Sequence, residues 1–203
     1  MKLYDAPIAP NPRRVRWVMA EKNITDIEVV SLSLIEGDQK TPEFVAKAGL
    51  PLLPALELDD GTMISESLAI CRYLENLYPE PNLFGITPLD TAIVEMWTRR
   101  AELMVGHPAM HSVRHTSPHL AVLEVQDAVF GAFNIAQMLA GLEVLDRRLA
   151  EAEWLAGRRI TMADIVAFIG IDFTRLIRLV IPDPLTNLQR WLAAMRTRPA
   201  ASA

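Results

Sequence analysis

The sequence changes character near residue 80, and this change constrains the fold more than any other feature. Signals for strands and helices alternate before it, whereas nearly every periodic segment after it is helical. The predicted strands are residues 2–5, residues 27–32 and a hairpin in ALELDDGTMI around Asp59-Asp60-Gly61. The predicted helices of this half run over residues 12–22, from Thr41 to Gly49 and from Ser65 to Tyr78. This order predicts a mixed four-stranded sheet with flanking helices.

The segment PEPNLFGITP, residues 79–88, is rich in turn-forming residues and is predicted to link two domains, residues 1–79 and 88–203. The second domain is predicted to be all helical. One helix starts near Pro88, a long one covers about residues 122–149, and a last one carries the apolar positions of 185–195. Between the last two, Thr161 and Asp164 have the spacing of a capping box, which predicts the start of a buried helix.

Composition narrows the classes of partner. The chain is 51% hydrophobic and carries a net charge of -5, and no run of Lys or Arg is longer than two. Phosphate backbones and anionic lipids attract basic faces, so we expect neither a nucleic-acid nor a membrane partner. The start, MKLYDAPIAP, lacks the apolar stretch of a signal peptide, which predicts a cytoplasmic protein. Small-molecule or protein partners are expected.

The chain has a single cysteine, Cys71. One cysteine excludes an internal disulfide and any Cys-x-x-Cys redox or zinc motif. We therefore interpret Cys71 as a small apolar residue on a buried helix face.

In the segments PALELDDGTMISESLAICRYL and LAGRRITMADI, the chain resembles the glutathione transferase family. PALELDDGTMISESLAICRYL, residues 54–74, is similar to the family pattern P-x-L-x-x-x-D-G-x-x-x-x-E-S-x-A-I-x-x-Y-L. LAGRRITMADI, residues 155–165, is similar to the helix-capping segment of the family's C-terminal domain. The resemblance implies an α/β thioredoxin-like N-terminal domain, an all-α helical bundle as C-terminal domain, a homodimer, and glutathione as cosubstrate with no metal.

The resemblance also implies a glutathione site on the first domain. The residues it assigns to glutathione binding are Gln39, Lys40, Leu53, Pro54, Glu66 and Ser67. Pro54 would be a cis-proline that lets the Leu53 backbone pair with the cysteinyl part of glutathione as an added strand. Ser67 and Glu66 stand at a helix start, where free N–H groups can hold the γ-glutamyl carboxylate and Glu66 the ammonium. The alternative for this pair is a role in helix capping alone.

The loop YDAPIAPNPRRVRW, residues 4–17, contains no hydroxyl or thiol between Asp5 and Trp17. Ala9, Pro10 and Asn11 stand where most family members carry an activating Tyr, Ser or Cys. Asn11 is predicted to cap the following helix, whose first-turn amides would point at the bound thiol.

The stretch APNPRRVRWVMAEK resembles a bacterial and fungal branch of the family that lacks the usual hydroxyl or thiol and is thought to activate glutathione through a bound water. Lowering a thiol pKa by about 1.5 to 2 requires roughly 2 to 3 kcal/mol, and an exposed helix N-terminus supplies about 0.3 to 1. Asn11 and Arg13 are therefore the catalytic candidates on the first domain, with at least one of Arg13 and Arg14 on a solvated face. His115, in RHTSP, is the candidate from the helical domain, and Thr116 and Ser117 are weaker ones.

All four histidines fall four residues apart, at positions 107, 111, 115 and 119. Pro118 interrupts the stripe before its last member, so at most His111 and His115 share a helix face. No cysteine or carboxylate cluster adds ligands, and no metal site is expected. We expect Met104 and His111 to line the pocket for the electrophile, between the domains and near His115.

One departure from the family pattern bears on the affinity of the protein for glutathione. Leu52 stands where many members carry a Lys or Arg for the glycyl carboxylate of glutathione, and losing such a contact costs about 1.5 to 3 kcal/mol. Two hypotheses follow: an enzyme that conjugates glutathione to a small hydrophobic electrophile, and a non-catalytic relative that kept the fold as a binding or interaction protein.

Overall fold

A computed structural model describes the whole chain, residues Met1–Ala203. The chain divides into two units, one of Met1–Pro81 with Ser202–Ala203 and one of Asn82–Ala201. The first unit is α/β and the second is all helical, which confirms the predicted fold class.

The first unit is built on one mixed sheet of four strands. The strands are β1 Lys2–Asp5, β2 Glu28–Ser31, β3 Ala55–Glu57 and β4 Met63–Ser65. Their order is β2-β1-β3-β4, with β1 and β2 parallel and the other two pairs antiparallel. Leu3 lies opposite Val29 on one side and Leu56 on the other, and both leucines are fully buried. The hairpin predicted around Gly61 joins β3 to β4.

Three helices flank this sheet: α1 Pro10–Glu21, α2 Pro42–Ala48 and α3 Ser67–Leu77. The predicted ends of α2 are confirmed, since the Thr41 side chain accepts a bond from the Phe44 N–H and Gly49 closes the helix at φ 78°. The predicted cap of α1 is wrong. Its N-cap is Ala9, not Asn11, because Pro10 takes the first helical position, where a missing N–H costs nothing.

The interior of α3 contains the lone cysteine. Cys71 is fully buried, and burial raises the pKa of its thiol to about 12. The interpretation of this residue as a packing element is confirmed, because a thiol so rarely ionised is a poor nucleophile.

The second unit contains five helices: α4 Pro88–Ala101, α5 His107–Thr116, α6 Ala128–Glu151, α7 Met162–Phe173 and α8 Thr186–Arg196. The long helix starts six residues later than predicted, at Ala128, because the Asp127 side chain caps it by accepting from Val129 and Phe130 N–H groups. By length and composition alone α6 could cross a membrane, and it packs against α5 and α8.

Helices α4 and α5 are joined without a break by a π-helical segment, Glu102–Gly106. Neighbouring helices come unusually close here. A Cβ on Gly141 of α6 would lie 2.3 Å from the Met104 carbonyl oxygen, and one on Gly170 of α7 would lie 3.0 Å from the Gly106 Cα. Only glycine fits at the first of these contacts, and a larger residue at the second would require the backbones to move apart, so the widened turn is held by backbone packing.

The predicted capping box of α7 is confirmed and lies at the centre of the helical unit. Asp164 is fully buried and its two oxygens accept four hydrogen bonds. The donors are Leu155 N (2.9 Å), Thr161 N (2.9 Å), Thr161 Oγ1 (3.0 Å) and Trp191 Nε1 (3.0 Å). Burial raises the pKa of Asp164, and the four donated bonds oppose that rise.

Candidate active site

The N-terminus of α1 offers fewer backbone donors than a normal helix. Pro10 and Pro12 have no N–H, and the Arg13 N–H is already bonded to the Ala9 carbonyl oxygen at 3.3 Å. Asn11 therefore carries the one backbone donor of the first turn. Its side-chain Oδ1 is buried and has no hydrogen-bond partner. The expectation that several first-turn amides face a thiol is therefore wrong. In this turn, the backbone N–H and the side-chain amide that could contact a ligand are both those of Asn11.

The loop before α1 is fixed by Arg16. Its guanidinium bonds the buried carboxylate of Asp5 and donates to the Pro7 carbonyl oxygen at 3.0 Å. One side chain thus ties the end of β1 to the loop.

The two consecutive arginines of α1 point to different places. Arg13 is half-buried and its Nε donates to the Ala203 carbonyl oxygen at 3.1 Å. Arg14 is 2% exposed, and its Nη1 donates to the Ser67 Oγ at 3.4 Å. Sequence reasoning missed Arg14 because a charged residue was assumed to be solvated. Its spacing of four residues from the buried Val18 was the signal that could have found it.

Ser67 and Glu66 mark the start of α3. Ser67 is the first residue of the helix and is 5% exposed, and Glu66 precedes it as an exposed N-cap with φ 68°. A positive φ is uncommon for a residue other than glycine and is found in excess at functional sites. Through Arg14 the structure brings the start of α3 next to α1.

The Leu53-Pro54 peptide bond is cis, as predicted. Leu53 lies two residues before Ala55, the first paired residue of β3, so the sheet ladder does not use its peptide groups. An extended ligand can therefore pair with this backbone.

Gln39 and Lys40 lie in a short 3-10 turn, Asp38–Lys40. Gln39 is 5% exposed, and its Oε1 is buried without a hydrogen-bond partner. Lys40 is exposed. Leu52 is 55% exposed, so the apolar side chain at this position faces outwards.

Tyr4, in β1, has the hydroxyl group nearest in sequence to the loop before α1, and this hydroxyl is bonded within a polar cluster. Its hydroxyl donates to Glu57 at 2.8 Å and accepts from Lys47 at 2.9 Å. Lys47 also pairs with Glu57 at 2.7 Å, and these bonds raise the pKa of Lys47 and lower that of Glu57. The Tyr4 hydroxyl belongs to this cluster.

In the helical unit, His111 and His115 share a face of α5, as predicted. Their ring centroids are 6.4 Å apart, and both meet the Phe130 ring edge to face, at 5.3 and 5.0 Å. Partial burial, with the neighbouring His107 and His115, lowers the pKa of His111. His119 follows Pro118 beyond the end of α5.

His115 is held in one tautomer. Its Nδ1 accepts a hydrogen bond from the Asp127 N–H at 3.1 Å, so the neutral ring carries its proton on Nε2. Gly131 allows α6 to lie this close to the end of α5, because a Cβ there would lie 2.5 Å from the Thr116 Cγ2 and 3.3 Å from the His115 Cβ. Met104 lies in the π-helical segment, and the Ser117 Oγ is buried without a partner. In this tautomer the Nε2–H of His115 is a hydrogen-bond donor.

The first unit as described is a thioredoxin-like sheet with a cis-proline before β3, followed in the chain by an all-helical unit. Models of the glutathione S-transferase N-terminal and C-terminal domains match residues 3–82 and 134–199. Glutathione S-transferase 2 of Saccharomyces cerevisiae is 36% identical over 98% of this chain and 87% of its own length. The chain belongs to the glutathione S-transferase family of enzymes.

Solved structures agree with this assignment. The crystal structure of Gtt2 from Saccharomyces cerevisiae superposes with a TM-score of 0.92 at 36% identity and covers 98% of both chains. A glutathione S-transferase domain-containing protein from Marinobacter aquaeolei VT8 gives a TM-score of 0.91 at 35% identity, over 98% of this chain and 99% of its own.

Proposed function

We propose that the protein conjugates glutathione to a small hydrophobic electrophile by stabilising the glutathione thiolate. The observation that carries the proposal is the Arg14–Ser67 hydrogen bond, which joins the starts of α1 and α3 in one unit. Leu53 offers a free edge for the cysteinyl part, Ser67 a donor for the γ-glutamyl carboxylate, and Asn11 a donor for the sulfur. Gln39 and Lys40 remain candidates for the glycyl end.

In the proposed reaction the thiol gives its proton to solvent, and the thiolate sulfur then forms a bond to the electrophilic carbon. In a substitution, the leaving group departs with the electron pair of the bond that it shared with that carbon. In an addition to an activated double bond, the π electron pair moves away from that carbon and takes up a proton from solvent. The protein supplies no nucleophile, so its task is to stabilise an anion.

Asn11 acts from the first unit, and we propose that His115 acts through its Nε2–H, directly or through one water, with Arg13 adding positive charge. Met104 and His111 are proposed to contact the electrophile.

The second candidate is a non-catalytic relative that binds or interacts without turnover. The exposed Leu52 favours it, because an apolar side chain gives the glycyl carboxylate no counter-charge. Retention on immobilised glutathione, with elution by free glutathione, separates a working site from a lost one. A model electrophile such as an aryl halide then separates a binder from an enzyme.

The roles of Asn11 and His115 can be tested on the bound thiol itself. Asn11→Ala and His115→Ala should each raise its pKa and so reduce the thiolate at neutral pH about three- to thirtyfold, roughly 0.7 to 2 kcal/mol. The measurement is thiolate absorbance against pH, together with kcat/KM for the electrophile. Tyr4→Phe is the control and should leave the profile unchanged. A profile that moves only in Tyr4→Phe would make the strand tyrosine the activator.

We further propose a homodimer that uses α4 and the end of α3. An apolar stripe with a seven-residue repeat is exposed along α4 and the π-helical segment, at Leu89, Met96 and Leu103, and Leu77 is exposed at the end of α3. Sedimentation should give a dimer at micromolar concentration, and the double variant Leu89→Glu, Met96→Glu should shift it towards monomer. Val125→Glu, 92% exposed in a loop, is the matched control. A wild-type species of 22.6 kDa would contradict the proposal.

A further inference from the structure

Helix α2 lies in the chain between two segments that are proposed to bind glutathione. The 3-10 turn Asp38–Lys40 precedes it and is bonded to it, because the Oγ1 of Thr41, the N-cap of α2, donates to the Asp38 carbonyl oxygen at 3.0 Å. Leu53 lies five residues after the last residue of the helix. A displacement of α2 would therefore move both segments.

Apolar packing alone holds α2 weakly. The helix has seven residues, and Phe44 is its one buried residue. The Phe44 ring meets the Tyr4 ring of β1 edge to face, with the ring centroids 5.5 Å apart. A short helix that buries so little apolar surface is among the parts of a fold that open most readily.

An ion pair adds to this contact between α2 and the sheet. The Nζ of Lys47, in the last turn of α2, lies 2.7 Å from the Oε2 of Glu57 in β3. The Tyr4 hydroxyl accepts from Lys47 at 2.9 Å and donates to the same Glu57 oxygen at 2.8 Å. An isolated exposed ion pair contributes little to stability, but this one is part of a network of three polar contacts, and the Glu57 side chain is only 18% exposed.

We propose that the Lys47–Glu57 ion pair positions the glutathione site by keeping α2 docked on the sheet. This inference rests on the proposed function, and the two residues act through α2, not by contact with glutathione. When a ligand binds only the docked form, its apparent Kd rises as the docked fraction falls. Asn11 and Ser67 belong to α1 and α3, so the ion pair should set the affinity for glutathione and leave the pKa of the bound thiol unchanged.

The test is calorimetric titration of the whole protein with glutathione. Lys47→Met should weaken binding about threefold, as expected when an exposed ion pair holds a marginally docked helix. Lys47→Glu sets a second carboxylate against Glu57 and should weaken binding about five- to tenfold. Lys47→Arg keeps the charge and should bind as the wild type does. Amide hydrogen exchange in α2 should be faster in the first two variants than in the wild type.

Glu57→Gln gives the sharpest comparison, because its effect should change sign. In the wild type it removes the partner of Lys47 and should weaken glutathione binding, whereas in Lys47→Glu it removes the repelling carboxylate and should strengthen it. A general effect of charge on an anionic ligand has the same sign in both backgrounds, and that result would overturn the proposal. Glu28→Gln is the matched control, since it breaks the exposed Lys2–Glu28 pair of β1 and β2, 3.4 Å long, and should leave the affinity unchanged.

Thiolate absorbance at saturating glutathione separates positioning from chemistry, and its pH profile should be the same in all these variants. A shifted profile in Lys47→Met would place this residue at the sulfur and overturn the proposal. Wild-type affinity in Lys47→Glu, with faster exchange in α2, would overturn it by showing that the site does not depend on this helix. If the wild type itself fails to bind glutathione, the proposed function is wrong, and this inference is wrong with it.

Discussion

Asp164→Ala should lower the free energy of unfolding by about 3 to 5 kcal/mol, the largest effect we expect from any single substitution. The carboxylate accepts four hydrogen bonds from three residues, and all of them lie in the core of the helical unit. Alanine leaves the donors Leu155 N, Thr161 N and Trp191 Nε1 without an acceptor, and each buried donor left unsatisfied costs about 1 to 3 kcal/mol before the structure relaxes.

The measurement is urea denaturation followed by tryptophan fluorescence. Because Trp191 loses its hydrogen bond to residue 164 in the variant, its fluorescence also reports a local change. Asp164→Asn should lose less, because its amide oxygen still accepts two of the bonds. Asp183→Ala, an exposed aspartate of the same unit, is the control and should stay within about 0.5 kcal/mol of the wild type. If Asp164→Ala unfolds at the wild-type urea concentration, the capping network contributes nothing to stability.

Ser67→Ala should weaken glutathione binding at least tenfold, and so should Glu66→Ala. Ser67 is buried at the first position of α3, and its Oγ accepts from Arg14, which leaves its own proton free to donate to a carboxylate. Each substitution removes a charge-assisted contact of about 1.5 to 3 kcal/mol. Calorimetry with glutathione is the measurement, and circular dichroism establishes that the variants are folded.

Arg14→Met supplies an internal check on the same prediction. If Arg14 acts on the ligand through Ser67, the double variant Arg14→Met, Ser67→Ala should bind little worse than the single ones. Ser31→Ala, an exposed serine on β2, is the matched control and should bind as the wild type does. Unchanged affinity in both Ser67→Ala and Glu66→Ala would remove the start of α3 from the proposed site.

Most of the fold was predictable because it follows from periodicity and turn chemistry. The alternation of strands and helices before residue 80, the Thr41 and Gly49 helix ends, and the Thr161-Asp164 box are all local signals. The start of α1 was not predictable in this way. Pro10 and Pro12 each suit the first turn of a helix, and only the path of the chain from β1 chooses between them.

Less of the candidate site could be predicted, because it depends on burial and on contacts distant in sequence. The cis-proline and the pair Glu66-Ser67 belong to a motif that the sequence shows, but Arg14 belongs to none. Its contact with Ser67 joins residues 53 positions apart. The His115 tautomer depends in the same way on Asp127, the cap of a helix whose start was misplaced. The π-helical segment has no local signal, since the glycines that hold it lie on α6 and α7.

The π-helical segment between α4 and α5 determines how the side chains of α5 are rotated around the helix axis relative to those of α4. One additional residue in a helical turn advances every later side chain by about 100° around the axis, because an α-helix has 3.6 residues per turn. The stripe of Leu89 and Met96 lies before this offset, and His111 and His115 lie after it. Deleting one residue there would turn the histidine face away while leaving α4 as it is. Within one continuous rod, a single-residue insertion therefore sets the direction of the histidine face of α5 separately from that of the apolar stripe of α4.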